Sequence, residues 1–76
     1  MHKYSEQIIR HLAVNEDGKT CEILERITYE RRAGVRDERV EINRRYDLRT
    51  GERLNRLSET EFEEDSSGSR LRLCPQ

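Results

Sequence analysis

The chain has 76 residues, of which 41% are charged and only 32% are hydrophobic, and its formal net charge is −1. A chain of this length buries only about 60% of the surface of its unfolded form, so we expect one small domain over residues 1–76 with frayed ends at 1–3 and 75–76. The sequence has no apolar run of about 18 residues that could cross a membrane and no signal-peptide-like hydrophobic stretch near its start, and we therefore expect a cytoplasmic protein with no membrane partner.

The charge is distributed unevenly along the chain. Residues 1–25 carry a net charge of −2, residues 26–56 contain ten Arg and carry +4, and residues 57–76 carry −3. This acidic, basic, acidic order predicts that the two ends pair with the middle across a sheet.

The segment at 4–14 is compatible with a strand or a helix. Ile8, Leu12 and Val14 share one side of a strand, but the segment also has apolar residues at helical spacing. We favour the strand, because the turn sequence at 15–18 would join it in a hairpin to the segment that follows.

The segment at 20–32 has the same ambiguity. Ile23, Ile27 and Tyr29 fall on one side of a strand, whereas Ile23 and Ile27 also belong to a stripe on a helix. The β-branched and aromatic residues favour the strand. A turn at 33–38 would then close a second hairpin.

The clearest strand covers residues 39–48, where apolar and polar residues alternate. A three-residue loop that ends with Gly51 in the left-handed region would follow it. This loop places Tyr46 opposite Leu54 on the core face, and the hydrophobic pattern favours that register over one shifted by a residue.

The same register creates a conflict between two arginines, because it places Arg44 opposite Arg56, and opposed like charges are unfavourable. We predict either a β-bulge next to Arg56, which would turn Leu57 inward, or the end of the strand pairing at this point. Arg44 would then lie near the margin of the sheet with Glu59 or Glu61 as its partner.

The last third of the chain predicts short elements. Ser58 and Glu61 could form a capping box at the start of a helix, or the segment around Phe62 could be a short strand. Leu71 and Leu73 alternate with arginines in a final strand. The fold class is therefore mainly β, a small antiparallel meander of five to six short strands, with an α+β fold containing one short helix as the alternative. The predicted core comprises Ile23, Ile27, Val40, Ile42, Tyr46, Leu48, Leu54, Leu57, Phe62 and Leu71.

The sequence predicts no enzyme, cofactor or metal site. Cys21 and Cys74 lack the close spacing of zinc ligands, and His2 and His11 are not paired with them. No motif for phosphate binding or nucleophilic catalysis is present. In a reducing compartment we expect both cysteines to be free thiols.

The candidate interaction residues are arginines of the basic middle block, since Arg recognises phosphate and carboxylate groups in a planar geometry. They are Arg31, Arg32, Arg44, Arg45 and Arg56.

We predict a small non-enzymatic accessory protein that binds another protein or its own copy. A meander has open edges to which a partner can add a strand, and the small core independently favours association. The alternative is a nucleic-acid-binding protein that uses the Arg-rich middle. We interpret the acidic stretch at 58–65 as solvent-exposed carboxylates whose charge offsets that of the arginine block. The alternative is that this stretch imitates the phosphate backbone of a nucleic acid and blocks a nucleic-acid-binding protein.

Overall fold

The computed structural model describes residues 3–32 and 38–75, and these residues form an all-β fold. The six strands are β1 (Lys3–Asn15), β2 (Thr20–Arg32), β3 (Glu38–Leu48), β4 (Arg53–Arg56), β5 (Glu61–Glu64) and β6 (Arg70–Leu73). Each strand is antiparallel to the next, and β1 also pairs with β6, so the meander closes into a barrel. The predicted fold class is confirmed, and both ambiguous segments are strands. Of the predicted turn at 33–38, residues 33–37 lie outside the described residues, and Glu38 is the first residue of β3.

The barrel occupies only one end of the three long strands. β6 pairs with β1 only at Ala13–Asn15, and β4 pairs with β3 only at Tyr46 and Asp47. The first two strands nevertheless pair from Lys3 to Val14. The long strands therefore continue past the barrel as a three-stranded sheet, and the molecule measures 51 × 27 × 19 Å. We call this extension the arm; it comprises residues 3–11, 24–32 and 38–45.

The core lies inside the barrel. Phe62 and Ile23 are its largest fully buried side chains, and the rings of Tyr46 and Phe62 pack with centroids 5.0 Å apart and planes tilted by 59°. Six of the ten predicted core residues are buried, and Leu48 packs against them. The buried six are Ile23, Ile27, Tyr46, Leu54, Phe62 and Leu71.

Three predicted core residues lie elsewhere. The register between β2 and β3 shifts after Thr28, because β3 contains Ile42 as an extra residue. This bulge moves Val40 to the other side of the sheet and leaves Ile42 46% exposed. Leu57 follows the last residue of β4 and is also 46% exposed.

Ala13 is a core residue that the sequence pattern did not reveal. It is fully buried at the point where β1 is flanked by both β2 and β6, opposite Cys21 and Leu73.

The predicted hairpin between β3 and β4 is confirmed. Gly51 has a φ of 105°, the Leu48 N–H donates to the Glu52 carbonyl at 2.8 Å, and Tyr46 lies opposite Leu54. The pairing of β3 with β4 ends at Tyr46 and Leu54. Of the two outcomes predicted near Arg56, a β-bulge or the end of the pairing, the second is therefore the one observed.

The segment at 57–60 connects β4 to β5, and Glu61 is the first residue of β5, so the helical capping box is wrong. The Ser58 hydroxyl accepts hydrogen bonds from the N–H groups of Thr60 and Glu61 at 3.3 and 3.1 Å. Phe62 then lies in β5, as the strand alternative predicted.

Candidate interaction surface

The main chain of β1 has a strand partner on only one side over most of the arm. The Leu12 carbonyl accepts a hydrogen bond from the Cys74 N–H at 2.9 Å, so it points away from β2. Main-chain groups alternate between the two sides of an antiparallel strand, and the even-numbered residues before Leu12 must therefore point the same way. Over 3–11, no strand of the described part of the chain pairs with them. These residues, which we call the β1 edge, are Tyr4, Glu6, Ile8 and Arg10.

The β1 edge also carries exposed apolar side chains. Ala13 points into the barrel, so the odd-numbered residues of β1 line the inner face of the sheet and the even-numbered residues line the outer face. Tyr4 and Ile8 of the edge, and Leu12 directly after it, are 62%, 47% and 60% exposed on this outer face. Full burial of such side chains contributes about 1.5–3 kcal/mol each, and they are therefore suitable anchors for a partner.

Two charged residues alternate with these anchors. Glu6 lies 3.2 Å from Arg26, and Arg10 lies 3.4 Å from Glu22. The side chains of Glu6 and Arg10 remain 49% and 78% exposed. Exposed pairs of this kind contribute at most about 1 kcal/mol, so both side chains are free to bind a further partner.

A buried carboxylate lies where the arm joins the barrel. Glu25 is only 7% exposed. Its Oε1 lies 2.8 Å from His11 Nε2, and its Oε2 accepts hydrogen bonds from Arg44 Nη1 at 2.8 Å and from the Tyr46 hydroxyl at 3.4 Å. These three partners offset the cost of removing the carboxylate from water.

Arg44 binds carboxylates of its own strand and of β2. Its guanidinium donates to Glu25 and to Glu41, and the hydrogen bond to Glu41 is the largest cause that raises the pKa of Arg44. The predicted partners Glu59 and Glu61 are therefore wrong. The reason is that β3 pairs with β2 along the arm, whereas β5 is two strands away.

Arg56 covers the open end of the core. It donates to the Tyr46 hydroxyl at 3.0 Å and to the carbonyls of Ser58 and Glu59 at 2.9 and 3.4 Å. Its guanidinium carbon lies 5.7 Å from the centre of the Tyr46 ring. Among the described residues, no buried side-chain N or O atom lacks a hydrogen-bond partner. The mouth of the barrel is thus closed by hydrogen-bonded side chains that we call the polar cluster, namely Glu25, Arg44, Tyr46 and Arg56.

The five candidate arginines do not form one surface. Arg44 and Arg56 are linked through Glu25 and Tyr46. Arg44 and the Tyr46 hydroxyl both donate to Glu25, and Arg56 donates to the same hydroxyl. Arg31 and Arg32 lie at the far end of the arm, on opposite faces of β2. Arg45 lies on the outer face, 3.3 Å from Asp47.

Glu25 and the apolar β1 edge are the features that sequence reasoning missed. Glu25 stands between Ile23 and Ile27 in a period-two pattern, and a charged residue at such a core-facing position was the available signal. The exposed side of β1 had no comparable signal, because Ile8 and Leu12 look like core residues until β1 is known to be an edge of the arm.

Both thiols are free. Cys21 Sγ lies 3.6 Å from the Ala13 carbonyl, and burial, followed by the proximity of Cys74, raises the pKa of Cys21. The part of the chain that is described contains no group of three or more potential metal ligands. It also contains no helix of the length and hydrophobicity needed to cross a membrane.

Comparison of the chain with protein-family models, with curated proteins and with solved structures found no match.

Proposed function

We propose that this protein is a small, non-enzymatic, cytoplasmic binding module that recruits another protein by adding a strand to the β1 edge. The observation that carries the proposal is an unpaired strand edge whose residues also bear exposed apolar side chains. Strand addition obtains affinity from main-chain hydrogen bonds and specificity from alternate side chains, and the β1 edge offers both on the same residues.

Apart from the charges of Glu6 and Arg10, the edge lacks the devices that usually prevent strand addition. Natural edge strands are protected by proline, bulges, clustered charges or short length. β1 is 13 residues long, has no proline, and pairs with β2 without a shift in register. An edge of this length without proline or a bulge, in a chain with a small core, supports a role in binding.

A reducing compartment is supported by the cysteines, because two free thiols in so small a domain are typical of proteins that do not cross into an oxidising environment.

Site-specific photo-cross-linking in the native host tests the proposal. A photoreactive amino acid at Ile8 should capture a protein, whereas the same amino acid at Asn55, exposed on β4 of the barrel, should not. The variant Glu6→Pro should abolish capture from Ile8, because it removes an N–H that points away from β2 and is not needed for folding. Equal capture from Ile8 and Asn55, or none from either, would contradict the proposal.

Nucleic-acid binding through the inner face of the arm is a second candidate, and the charge of that face favours it. Lys3, Arg31 and Arg39 line a cavity of about 370 Å³ near the far end of the arm. Arg39 also lies over the ring of Tyr29, 4.8 Å from its centre. Cations next to an aromatic ring can bind phosphates and stack on bases.

Nucleic-acid binding, unlike strand addition, predicts an affinity that depends steeply on the salt concentration. A fluorescent single-stranded oligonucleotide should bind with an affinity that falls steeply as the salt concentration rises, and Arg39→Glu should weaken binding at every salt concentration. Arg45→Glu on the outer face is the matched control and should have little effect. Equal effects of the two variants, or affinity that ignores salt, would rule out the inner face as a phosphate-binding surface.

A further inference from the structure

We infer that the protein recruited to the β1 edge is a second copy of the same chain, so that two arms join into one continuous six-stranded sheet. This inference rests on the proposed function and names its partner. A symmetric dimer requires an edge that is complementary to itself when it is rotated by a two-fold axis, and the β1 edge meets this requirement in one register.

In that register Ile8 lies opposite the Ile8 of the second copy. Antiparallel pairing about this point then places Glu6 opposite the partner's Arg10, and Arg10 opposite the partner's Glu6. Each of these positions has its main-chain groups directed away from β2, so each opposed pair can exchange two hydrogen bonds. Apolar side chains meet apolar side chains, and the two charges meet their opposites.

The neighbouring registers lack this complementarity. A shift of four residues in one direction from the position just described would place Glu6 opposite the partner's Glu6, and a shift of four in the other direction would place Arg10 opposite the partner's Arg10. Smaller shifts would place a charged side chain opposite Ile8. Opposed like charges destabilise strand pairs, and the edge therefore specifies one register by its sequence.

The end of β6 limits the length of the pairing between the two β1 strands. It also leaves space for Tyr4, the aromatic anchor of the β1 edge. The Cys74 N–H already occupies the Leu12 carbonyl, so the shared ribbon covers Glu6 to Arg10. Beyond the ribbon, the partner's Tyr4 reaches the level of Leu12. A cavity of about 740 Å³ opens there, lined by residues that include Arg10, Leu12, Thr60, Cys74 and Pro75.

Charge reversal tests the inference by sedimentation of the full-length chain over a range of concentrations. The wild type should sediment as a concentration-dependent dimer. Glu6→Arg alone and Arg10→Glu alone should each weaken the dimer by about tenfold, because each creates two opposed pairs of like charge per dimer.

A mixture of the two variants provides the decisive measurement. A Glu6→Arg chain and an Arg10→Glu chain have complementary edges in the Ile8 register, and the mixture should recover dimers at the wild-type concentration range. Each chain is its own folding control, because the same variant is measured alone and in the mixture. Glu6→Pro should abolish the dimer while circular dichroism shows that the chain remains folded.

The remaining outcomes overturn the inference in distinguishable ways. A wild type that stays monomeric up to millimolar concentration, while Ile8 cross-links to a different protein, would exclude self-pairing and leave the proposed function standing. A dimer that ignores charge reversal would place the dimer contact outside the β1 edge. A monomer that cross-links to nothing would overturn both proposals.

Discussion

Glu25 is the one buried charged residue among those that the structure describes, and its stability contribution can be measured. We predict that Glu25→Ala lowers the free energy of unfolding by about 1–3 kcal/mol, because the Tyr46 hydroxyl and Arg44 lose an acceptor that water replaces only in part. Urea denaturation measures the change. Glu22→Ala, which removes ion pairs with the exposed Arg10 and Arg49, is the control and should cost less than about 1 kcal/mol. Equal decreases in the free energy of unfolding for the two variants would show that the hydrogen bonds of Glu25 do not stabilise the fold more than an exposed ion pair does.

Cys21 makes the stability of the fold depend on pH in alkaline solution. Burial raises the pKa of Cys21 in the folded chain, so the unfolded chain loses its thiol proton first as the pH rises. The unfolded state then binds fewer protons than the folded state, and stability falls above the ordinary thiol pKa of about 8.5. The drop in urea midpoint between about pH 7 and about pH 10 should be smaller in Cys21→Ala than in the wild type. An identical drop in both chains would exclude this thiol as a cause.

At the scale of the elements, the β3–β4 hairpin depends on Gly51. Its φ of 105° is one that side chains rarely adopt, and a Cβ built there meets no atom within 4 Å. The cost of Gly51→Ala is therefore conformational and should be about 1–3 kcal/mol. Gly51→Asn should cost less, because Asn tolerates positive φ better than Ala. Thermal unfolding of the two variants measures the difference, and a more stable Ala variant would contradict this explanation.

The hairpin was predictable because its signals are local. Alternation over 39–48 and a glycine at the end of a three-residue loop together determine which residues oppose each other. The bulge at Ile42 left no such signal, since Val40, Ile42 and Tyr46 keep their alternation through it. An extra residue in β3 becomes visible only when the pairing with β2 is known.

The polar cluster at the mouth of the barrel was predictable only in part, for the same reason. Arg44 stood out as a charge on an apolar face, and a carboxylate partner was correctly expected, but the residues named for it, Glu59 and Glu61, were wrong. Its binding to Glu25, however, depends on the register between β2 and β3, and the contact of Glu25 with His11 depends on the register between β1 and β2. Three strands must be aligned before these side chains can be placed together.

At the scale of the whole molecule, closure of the barrel separates the chain into two regions of different character. Pairing of β1 with β6 joins residues about sixty positions apart in the sequence, and no local turn sequence predicts a contact of this kind. Once formed, it covers the end of β1 that lies in the barrel and leaves the rest of β1 as an edge. The predicted open edges of the meander therefore exist only along the arm.

Amide hydrogen exchange followed by NMR reports on both regions at once. In dilute solution the amides of Gln7 and Ile9, which point toward β2, should exchange slowly. Those of Glu6 and Ile8 should exchange quickly, because no strand within residues 3–32 and 38–75 pairs with that side of β1. Concentrating the sample should slow the exchange of Glu6 and Ile8 if two copies pair through the β1 edge. The amide of Phe62 in the barrel should not change, and it serves as the internal control. Slow exchange of Ile8 in dilute solution would mean that its N–H already has a partner within the chain, and the alternation of main-chain groups inferred from Leu12 would then be wrong.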